Sequence, residues 1–258
     1  MIKHALVTGS TSGIGKAFAD QLARERHNLI LVSRDREKLA DQQKMLAQRH
    51  GVTVHVIAAD LAEPGAAANV YAEATERGLE VEILVNNAGF NESGPFMETR
   101  MAHETSMIQL HAICATEMMK LFLPAMVQNG YGRVVNLGST ASYMACPNDA
   151  VYAATKAYIL RMSKAVHGEL KGTGVTVTAL CPGSTRTAFA SKAGMEGTSL
   201  FKYFVMKPEA VAAAGCRGMD KGRAWIIPGI YNKLLVLASK ITPAAILNPL
   251  IRRMLAKT

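Results

Sequence analysis

The chain has 258 residues, a net charge of +9 and 49% apolar residues, which suits one large α/β domain and excludes a disordered protein. No run of about 18 apolar residues occurs, so no membrane-spanning helix is predicted. The four cysteines form no Cys-x-x-Cys pair, which argues against a zinc site or a disulfide framework and favours a reducing, cytoplasmic setting.

Short apolar strands alternate with helical segments through residue 180. The predicted strands are residues 5–8, 29–32, 52–57, 83–85, 133–137 and 175–180, and the predicted helices are residues 14–26, 35–50, 64–77, 101–128 and 151–171. Because the strands are almost continuously apolar, they predict a parallel sheet that is covered by helices on both faces. Right-handed crossovers then give a doubly wound α/β fold.

The pattern changes beyond residue 180. Residues 188–206 have no clear period and are interpreted as a lid. A helix at 208–219 and a seventh strand at 224–227 complete a predicted domain of residues 1–230. Residues 231–258 are then a helical tail.

The tail is amphipathic and basic. Thr242 is a predicted N-cap, Pro243 fits a first turn, and one apolar stripe follows: Ile246, Leu247, Leu250, Ile251, Met254 and Leu255. No Asp or Glu follows Asp220, whereas seven basic residues do: Lys221, Arg223, Lys233, Lys240, Arg252, Arg253 and Lys257. Such a tail can lie on an anionic membrane, or it can pack on a neighbouring subunit or on its own domain. No basic run interleaved with aromatic residues occurs, so no nucleic-acid partner is predicted.

A glycine-rich turn joins the first strand to the first helix. Gly9, Gly13 and Gly15 have the spacing Gly-x-x-x-Gly-x-Gly. Glycines let the backbone turn tightly and approach a pyrophosphate, to which a helix N-terminus presents free N–H groups. The turn therefore predicts a dinucleotide site.

Tyr152 and Lys156 lie one helical turn apart, so their side chains emerge on one face of a predicted helix. An ammonium beside a phenol favours the phenolate, and we expect it to lower the tyrosine pKa toward working pH. Such a tyrosine can give a proton to a carbonyl oxygen or take one from an alcohol.

Five motifs in this order resemble the short-chain dehydrogenase/reductase family. They are the glycine turn, Asn86-Asn87-Ala88-Gly89 after the fourth strand, Ser139 thirteen residues before Tyr152, the Tyr152 and Lys156 pair, and Pro182-Gly183 after the sixth strand. The resemblance covers residues 3 to 230. It implies a single Rossmann-type domain with about seven parallel strands, assembled as a homodimer or homotetramer.

The resemblance also assigns residues to a coenzyme. Arg34 and Ser33 end the second strand, where an arginine suits a ribose 2′-phosphate, so NADP(H) is expected rather than NAD(H). The residues expected around the coenzyme are Gly9, Ser12, Gly13, Ile14, Gly15, Ser33, Arg34, Asp60, Leu61, Asn87, Ala88, Gly89, Tyr152, Lys156, Pro182, Gly183, Thr185 and Thr187. No metal is implied.

Three residues are the expected catalytic set. In the reaction that the resemblance implies, Tyr152 protonates the carbonyl oxygen, Ser139 hydrogen-bonds to it, and Lys156 tunes the tyrosine and holds the nicotinamide ribose. His111 stands where relatives have an asparagine, whose backbone carbonyl helps to hold a water linked to the lysine. The histidine preserves that water chain, titrates into the proton relay, or is a tolerated substitution.

The expected function is interconversion of a carbonyl and a secondary alcohol on a small hydrophobic substrate that is lipid-like, acyl or steroid-like. Apolar residues of the lid region and its neighbours indicate the pocket: Tyr143, Met144, Phe189, Met195, Leu200, Phe201, Tyr203, Phe204 and Met206. The alternative is a catalytically weak NADPH-binding redox sensor on the same fold. The set Ser139, Tyr152 and Lys156 favours the enzyme, because a sensor needs no proton donor.

Overall fold

Seven parallel strands form one sheet in the computed structural model, which describes residues 3–193, Thr198 and 205–255. They are β1 (Lys3–Thr8), β2 (Asn28–Ser33), β3 (Val54–Ala58), β4 (Glu80–Asn86), β5 (Gly132–Leu137), β6 (Val175–Leu180) and β7 (Trp225–Ile226). The order across the sheet is β3-β2-β1-β4-β5-β6-β7. The direction of winding reverses between β1 and β4, which is where a doubly wound sheet opens a ligand crevice. The predicted fold class is confirmed.

Helices cover both faces of the sheet. They are α1 (Gly13–Arg24), α2 (Arg36–His50), α3 (Ala66–Glu76), α4 (Met101–Ile108), α5 (Ala115–Gln128), α6 (Ala150–Glu169), α7 (Phe189–Lys192), α8 (Pro208–Asp220), α9 (Ile230–Ile241) and α10 (Ala244–Leu255). The core on one face includes Phe18 of α1 and Val211 of α8, and the core on the other includes Val70 of α3 and Phe122 of α5.

The predicted helix at 101–128 is present but is not regular. A π-helical turn, Gln109–Cys114, separates α4 from α5. By length and composition alone the stretch Met101–Gln128 could cross a membrane. Its residues Met118 and Phe122 pack in the core with strand residues, so this part of the stretch covers the sheet.

The tail folds back onto the domain. Helix α9 packs against a 3₁₀ turn, Thr140–Tyr143, and Ile251 and Leu255 of α10 are buried against Cys146 and Ala153. This packing uses only part of the predicted apolar stripe, because Ile246 and Leu250 lie on the opposite side of the helix and are exposed.

The predicted N-cap of this last helix is also wrong. The hydroxyl of Thr242 donates to the Ala238 carbonyl at 2.8 Å, so this side chain closes α9 and does not cap α10. The proposed division into residues 1–230 and 231–258 stays a prediction.

Candidate active site

A cavity of about 380 Å³ lies at the carboxyl ends of the central strands, where the winding of the sheet reverses. Every predicted site residue lines it except Gly15. The sequence motifs, which are spread over 180 residues, therefore meet at one place. The volume lies in the usual range for a small-molecule site.

The glycine turn gives the cavity an open helix N-terminus. Gly13 has φ of +54°, a conformation that other residues rarely adopt, and no side chain caps the first turn of α1 at Ser12. Gly15 lies beneath the turn, where an added Cβ would collide with the Gly9 carbonyl oxygen and the Asn87 side chain. Ser12, Gly13 and the following residue face the cavity, so the uncapped N–H groups fit a pyrophosphate.

The Asn87-Ala88 segment is fixed to β1 by Thr8. The backbone N–H groups of Asn87 and Ala88 donate to Thr8 Oγ1 at 2.9 and 3.0 Å, and Asn87 Nδ2 donates to the Thr8 carbonyl at 2.8 Å. These bonds join the carboxyl ends of β1 and β4 and fix the position of the Asn87-Ala88 segment beside the glycine turn. This role of Thr8 was not predicted from the sequence, although the residue directly precedes the glycine turn.

The second strand ends at the rim of the cavity. Arg34 Nη1 lies 3.3 Å from Asp60 Oδ2, and the hydroxyls of Ser33 and Thr11 are 2.9 Å apart. Both charged groups are well exposed, so their ion pair contributes little and an incoming phosphate can compete for the guanidinium. Arg34 thus lies where an adenosine ribose phosphate would be expected.

Ser139 follows β5 and caps the 3₁₀ turn. Its Oγ accepts a hydrogen bond from the Ala141 N–H at 3.2 Å, while its own N–H donates to Ser142 Oγ at 3.1 Å. Ser142 in turn donates to the backbone carbonyl of Lys156 at 2.8 Å. Ser142 therefore ties the Ser139 turn to α6, and Ser139 also hydrogen-bonds to Tyr152.

Tyr152 and Lys156 lie on the same face of α6, as predicted. Lys156 is buried, its Nζ lies 5.7 Å from the centre of the Tyr152 ring, and it donates to the Leu137 carbonyl at 2.8 Å. Tyr152 keeps part of its surface open to the cavity.

The predicted direction of the Tyr152 pKa is wrong for the protein without coenzyme. Burial of the phenol raises the Tyr152 pKa and outweighs the hydrogen bond from Ser139, which lowers it. Burial also lowers the Lys156 pKa to about 8. Tyr152 is therefore held as a neutral phenol, which is a proton donor, and Lys156 is a cation only below about pH 8.

His111 is buried beside Tyr152, with its ring edge against the tyrosine ring at 5.9 Å. The Phe90 N–H donates to His111 Nε2 at 3.3 Å, so this nitrogen carries no proton. The proton then resides on Nδ1, which donates to Thr155 Oγ1 at 3.0 Å, while the Thr155 hydroxyl donates to the Tyr152 carbonyl at 2.8 Å. Burial, and secondarily the charge of Lys156, hold the His111 pKa well below its usual value. His111 is thus a neutral positioning residue that joins the segment after β4 to α6.

The substrate half of the cavity includes residues that the sequence analysis missed. Asp149 lines it and accepts from Asn91 Nδ2 at 3.2 Å, and burial raises the Asp149 pKa. Four apolar side chains of the tail also line it: Leu235, Ile251, Met254 and Leu255. For Ile251, Met254 and Leu255 the predicted apolar stripe was the available signal, and it was interpreted as a contact with a membrane, with a neighbouring subunit or with the chain's own domain.

Some of the predicted pocket residues line the cavity and others do not. Met144 and Phe189 line the cavity, and the Phe189 ring lies 5.8 Å from that of Tyr152. Tyr143 does not line it, because it packs beneath against Leu160 and Cys181, and Met206 packs in the core below. The other predicted lid residues lie outside the described part of the chain: Met195, Leu200, Phe201, Tyr203 and Phe204.

Comparison with known proteins identifies the family. The sequence profile of short chain dehydrogenases matches residues 3–196. The chain belongs to the short-chain dehydrogenase/reductase family. Both the predicted family and its Rossmann-type fold are thereby confirmed.

Curated relatives of this family member include a very-long-chain 3-oxoacyl-CoA reductase of Anas platyrhynchos, 34% identical over 184 residues, which are 69% of this chain and 58% of that protein. Hydroxysteroid dehydrogenase-like protein 1 of Gallus gallus is 32% identical over 221 residues, 85% of this chain and 66% of that protein. The chain thus spans about 58–66% of the length of these two relatives. Among solved structures, a short-chain dehydrogenase from Sphingobium yanoikuyae in complex with NADPH has a TM-score of 0.82 and 31% identity, covering 94% of this chain and 97% of its own.

The contacts of His111 predict that it acts by position. His111→Ala leaves the Phe90 N–H and the Thr155 hydroxyl without their partner, and we expect it to lower the free energy of unfolding by about 2–4 kcal/mol. His111→Asn, which can still accept from Phe90, should lose less. Because the ring is neutral, pH–rate profiles of the wild type and His111→Asn should coincide between about pH 5.5 and 7.5. An ionisation in this range that is present only in the wild type would make His111 a member of the proton relay.

The buried Lys156 predicts a conflict between activity and stability. Lowering the pKa from 10.5 to about 8 costs about 3 kcal/mol at neutral pH, of which the hydrogen bond to Leu137 regains about 1. Urea unfolding at pH 7 should therefore show Lys156→Met to be about 2 kcal/mol more stable than the wild type, while Lys120→Met, at an exposed position of α5, should be neutral.

The effect of Lys156→Met also has a defined pH dependence. Below pH 8 the lysine is charged in the folded and the unfolded chain, so the full penalty is present. Between about pH 8 and 10.5 the folded protein loses this proton first, so the wild type gains stability as pH rises and the difference narrows. A difference that is constant from pH 7 to about pH 10 would refute the assignment.

Proposed function

We propose that this family member is an NADP(H)-dependent oxidoreductase that interconverts a carbonyl and a secondary alcohol on a hydrophobic substrate. The observation that carries the proposal is the meeting of Ser139, Tyr152 and Lys156 in one cavity with the uncapped N-terminus of α1. A proton donor and a dinucleotide-binding turn within one cleft are what carbonyl reduction requires.

The protein's part in the reaction follows from the state of these groups. NADPH, when bound, supplies the hydride to the carbonyl carbon. Tyr152, held as a neutral phenol, donates its proton to the carbonyl oxygen, and Ser139 stabilises the charge that develops there. After this proton transfer Tyr152 is a phenolate, and the nearby Lys156 ammonium stabilises its charge. Lys156 would also hold the nicotinamide ribose.

The preference for the phosphorylated coenzyme rests on Arg34 and Ser33. Both line the cavity at the end of β2, and the guanidinium forms an exposed pair with Asp60, for which a phosphate can compete. A planar guanidinium suits a phosphate better than a ribose hydroxyl. The similar structure from Sphingobium yanoikuyae was solved with NADPH, which agrees with this preference.

The substrate is inferred to be lipid-like, acyl or steroid-like. Phe189, Met144 and the four tail side chains give its half of the cavity an apolar wall, with Asp149 as a polar point beside Tyr152. The names of the two curated relatives, an oxoacyl-CoA reductase and a hydroxysteroid dehydrogenase-like protein, agree with such a substrate.

The redox-sensor alternative has less support, because it gives no reason for Ser139, Tyr152 and Lys156 to meet in the cavity. Assembly as a homodimer or homotetramer and a cytoplasmic location remain predictions.

Tyr152→Phe provides the direct test of the reaction. With NADPH and a panel of hydrophobic ketones, we expect kcat to fall about 10²–10⁴-fold, because the phenyl ring has no proton to give. The NADPH dissociation constant, measured by fluorescence titration, should change far less than kcat, because Tyr152 is one of many residues expected around the coenzyme. Tyr143→Phe is the matched control, since Tyr143 does not line the cavity, and it should keep wild-type turnover. NADPH binding without turnover of any carbonyl by the wild type would favour the sensor.

Arg34→Asp tests the coenzyme preference. Loss of a charge-assisted contact with the 2′-phosphate should raise KM for NADPH about 10–100-fold, and the new carboxylate should improve NADH use. Arg36→Asp, at an exposed position of α2, is the matched control and should leave both constants close to wild type. An unchanged NADPH/NADH ratio in Arg34→Asp would remove the argument for a phosphate site.

A further inference from the structure

The two tail helices present apolar side chains on both of their faces. On α9, the inner side carries Asn232, Leu235 and Val236, which contact the domain or line the cavity. The outer side carries four large apolar residues at i, i+4, i+7 and i+11, which places them on one stripe: Ile230, Leu234, Leu237 and Ile241. On α10, Ile246 and Leu250 are likewise directed outward.

The outer apolar surface of α9 and α10 is not covered by packing against the domain. The six side chains, Ile230, Leu234, Leu237, Ile241, Ile246 and Leu250, have between 53% and 77% of their surface accessible. A clustered set of large apolar side chains on adjoining helices marks a contact site, whereas single exposed ones need no explanation.

The charged residues that the structure describes on these two helices are all basic. Lys233 lies at one edge of the α9 stripe, and Arg253 lies on the outer side of α10 with Ile246 and Leu250. Lys240, two turns after Lys233, is exposed, and its ammonium lies 5.7 Å from the centre of the Tyr143 ring. Arg252 is also exposed. The sequence contains no Asp or Glu after Asp220 to offset them.

These charges favour one occupant over another. A symmetric dimer would place this surface against its own copy, so lysines and arginines would face lysines and arginines with no tail carboxylate between them. An anionic membrane offers acyl chains to the apolar stripe and acidic headgroups to the flanking cations. We propose that the outer face of α9 and α10 docks on an anionic lipid bilayer.

The inner face of the same helices gives the docking a use. Leu235, Ile251, Met254 and Leu255 line the substrate half of the cavity, so one pair of helices separates the cavity from the docked membrane. A hydrophobic substrate dissolved in the bilayer would then enter beside α9 and α10 without crossing water. This delivery step rests on the proposed function, whereas the docking itself does not.

Vesicle flotation of the full chain tests the docking without coenzyme or turnover. The vesicles are phosphatidylcholine alone, or three parts phosphatidylcholine to one part phosphatidylserine. We expect the wild type to float with the anionic vesicles, with at least a tenfold smaller bound fraction on neutral vesicles and at about 0.5 M salt. These comparisons need only the wild type, so they hold even if a variant fails to fold.

The double variant Leu234→Gln/Leu237→Gln should reduce the bound fraction at least tenfold, and Arg252→Gln/Arg253→Gln should weaken binding to anionic vesicles only. The matched control is Met97→Gln/Met101→Gln, which changes two exposed apolar side chains that do not belong to the tail and should float like the wild type. Circular dichroism and thermal melting check that each variant is folded.

Three outcomes would overturn the docking. The first is that the wild type does not bind anionic vesicles. The second is that Leu234→Gln/Leu237→Gln floats like the wild type. The third is that the wild type binds no vesicles and sediments as a dimer, while Leu234→Gln/Leu237→Gln sediments as a monomer. The last would show that a second copy covers this face. If Leu234→Gln/Leu237→Gln loses turnover on vesicle-borne ketones but keeps it on soluble ketones, the result would support delivery from the membrane. If the wild type turns over neither kind of ketone, the result would count against the proposed function alone.

Discussion

The site depends on a cation held in a place that disfavours it. Lys156 is buried against the end of β5, where the Leu137 carbonyl is its hydrogen-bond acceptor, and the surrounding fold bears the cost of its desolvation. Ser142 accepts a hydrogen bond from the Ser139 N–H and donates one to the Lys156 carbonyl. It therefore joins the turn that carries Ser139 to the helix that carries Tyr152 and Lys156. The positions of the Lys156 ammonium, the Tyr152 phenol and the Ser139 hydroxyl therefore depend on one another.

Much of this arrangement could be predicted from the sequence because its signals are local. The glycine turn has to follow a buried strand and open a helix, and residues four apart on a helix have to share a face. The motifs converge in space because parallel strands bring their carboxyl ends to one edge of the sheet. The order of these motifs and their resemblance to the family thus predicted residues that line the cavity, including Arg34 and Asp60, which pair at its rim.

Other features depend on three-dimensional surroundings that no spacing reports. The direction of the Tyr152 pKa followed from burial, which a pairwise argument about a neighbouring ammonium leaves out. The two sides of the tail helices cannot be told apart in the sequence, because both are apolar. The packing of Ile251 and Leu255 shows which side of α10 faces the domain and which side is exposed. The neutral state of His111 likewise depends on Phe90 and Thr155, partners that are distant in the chain.

The π-helical turn before α5 has a consequence for the evolution and engineering of this fold. Such a turn closes its hydrogen bonds over five residues instead of four, so it holds about one residue more than a regular helix would. Deleting a single residue between Gln109 and Cys114 would let the whole stretch Met101–Gln128 become one continuous α-helix, but it would rotate one half against the other by about 100°. The imidazole would then lose the Phe90 amide after β4 and the Thr155 hydroxyl, so a more regular helix would lose the contacts that join this segment to α6.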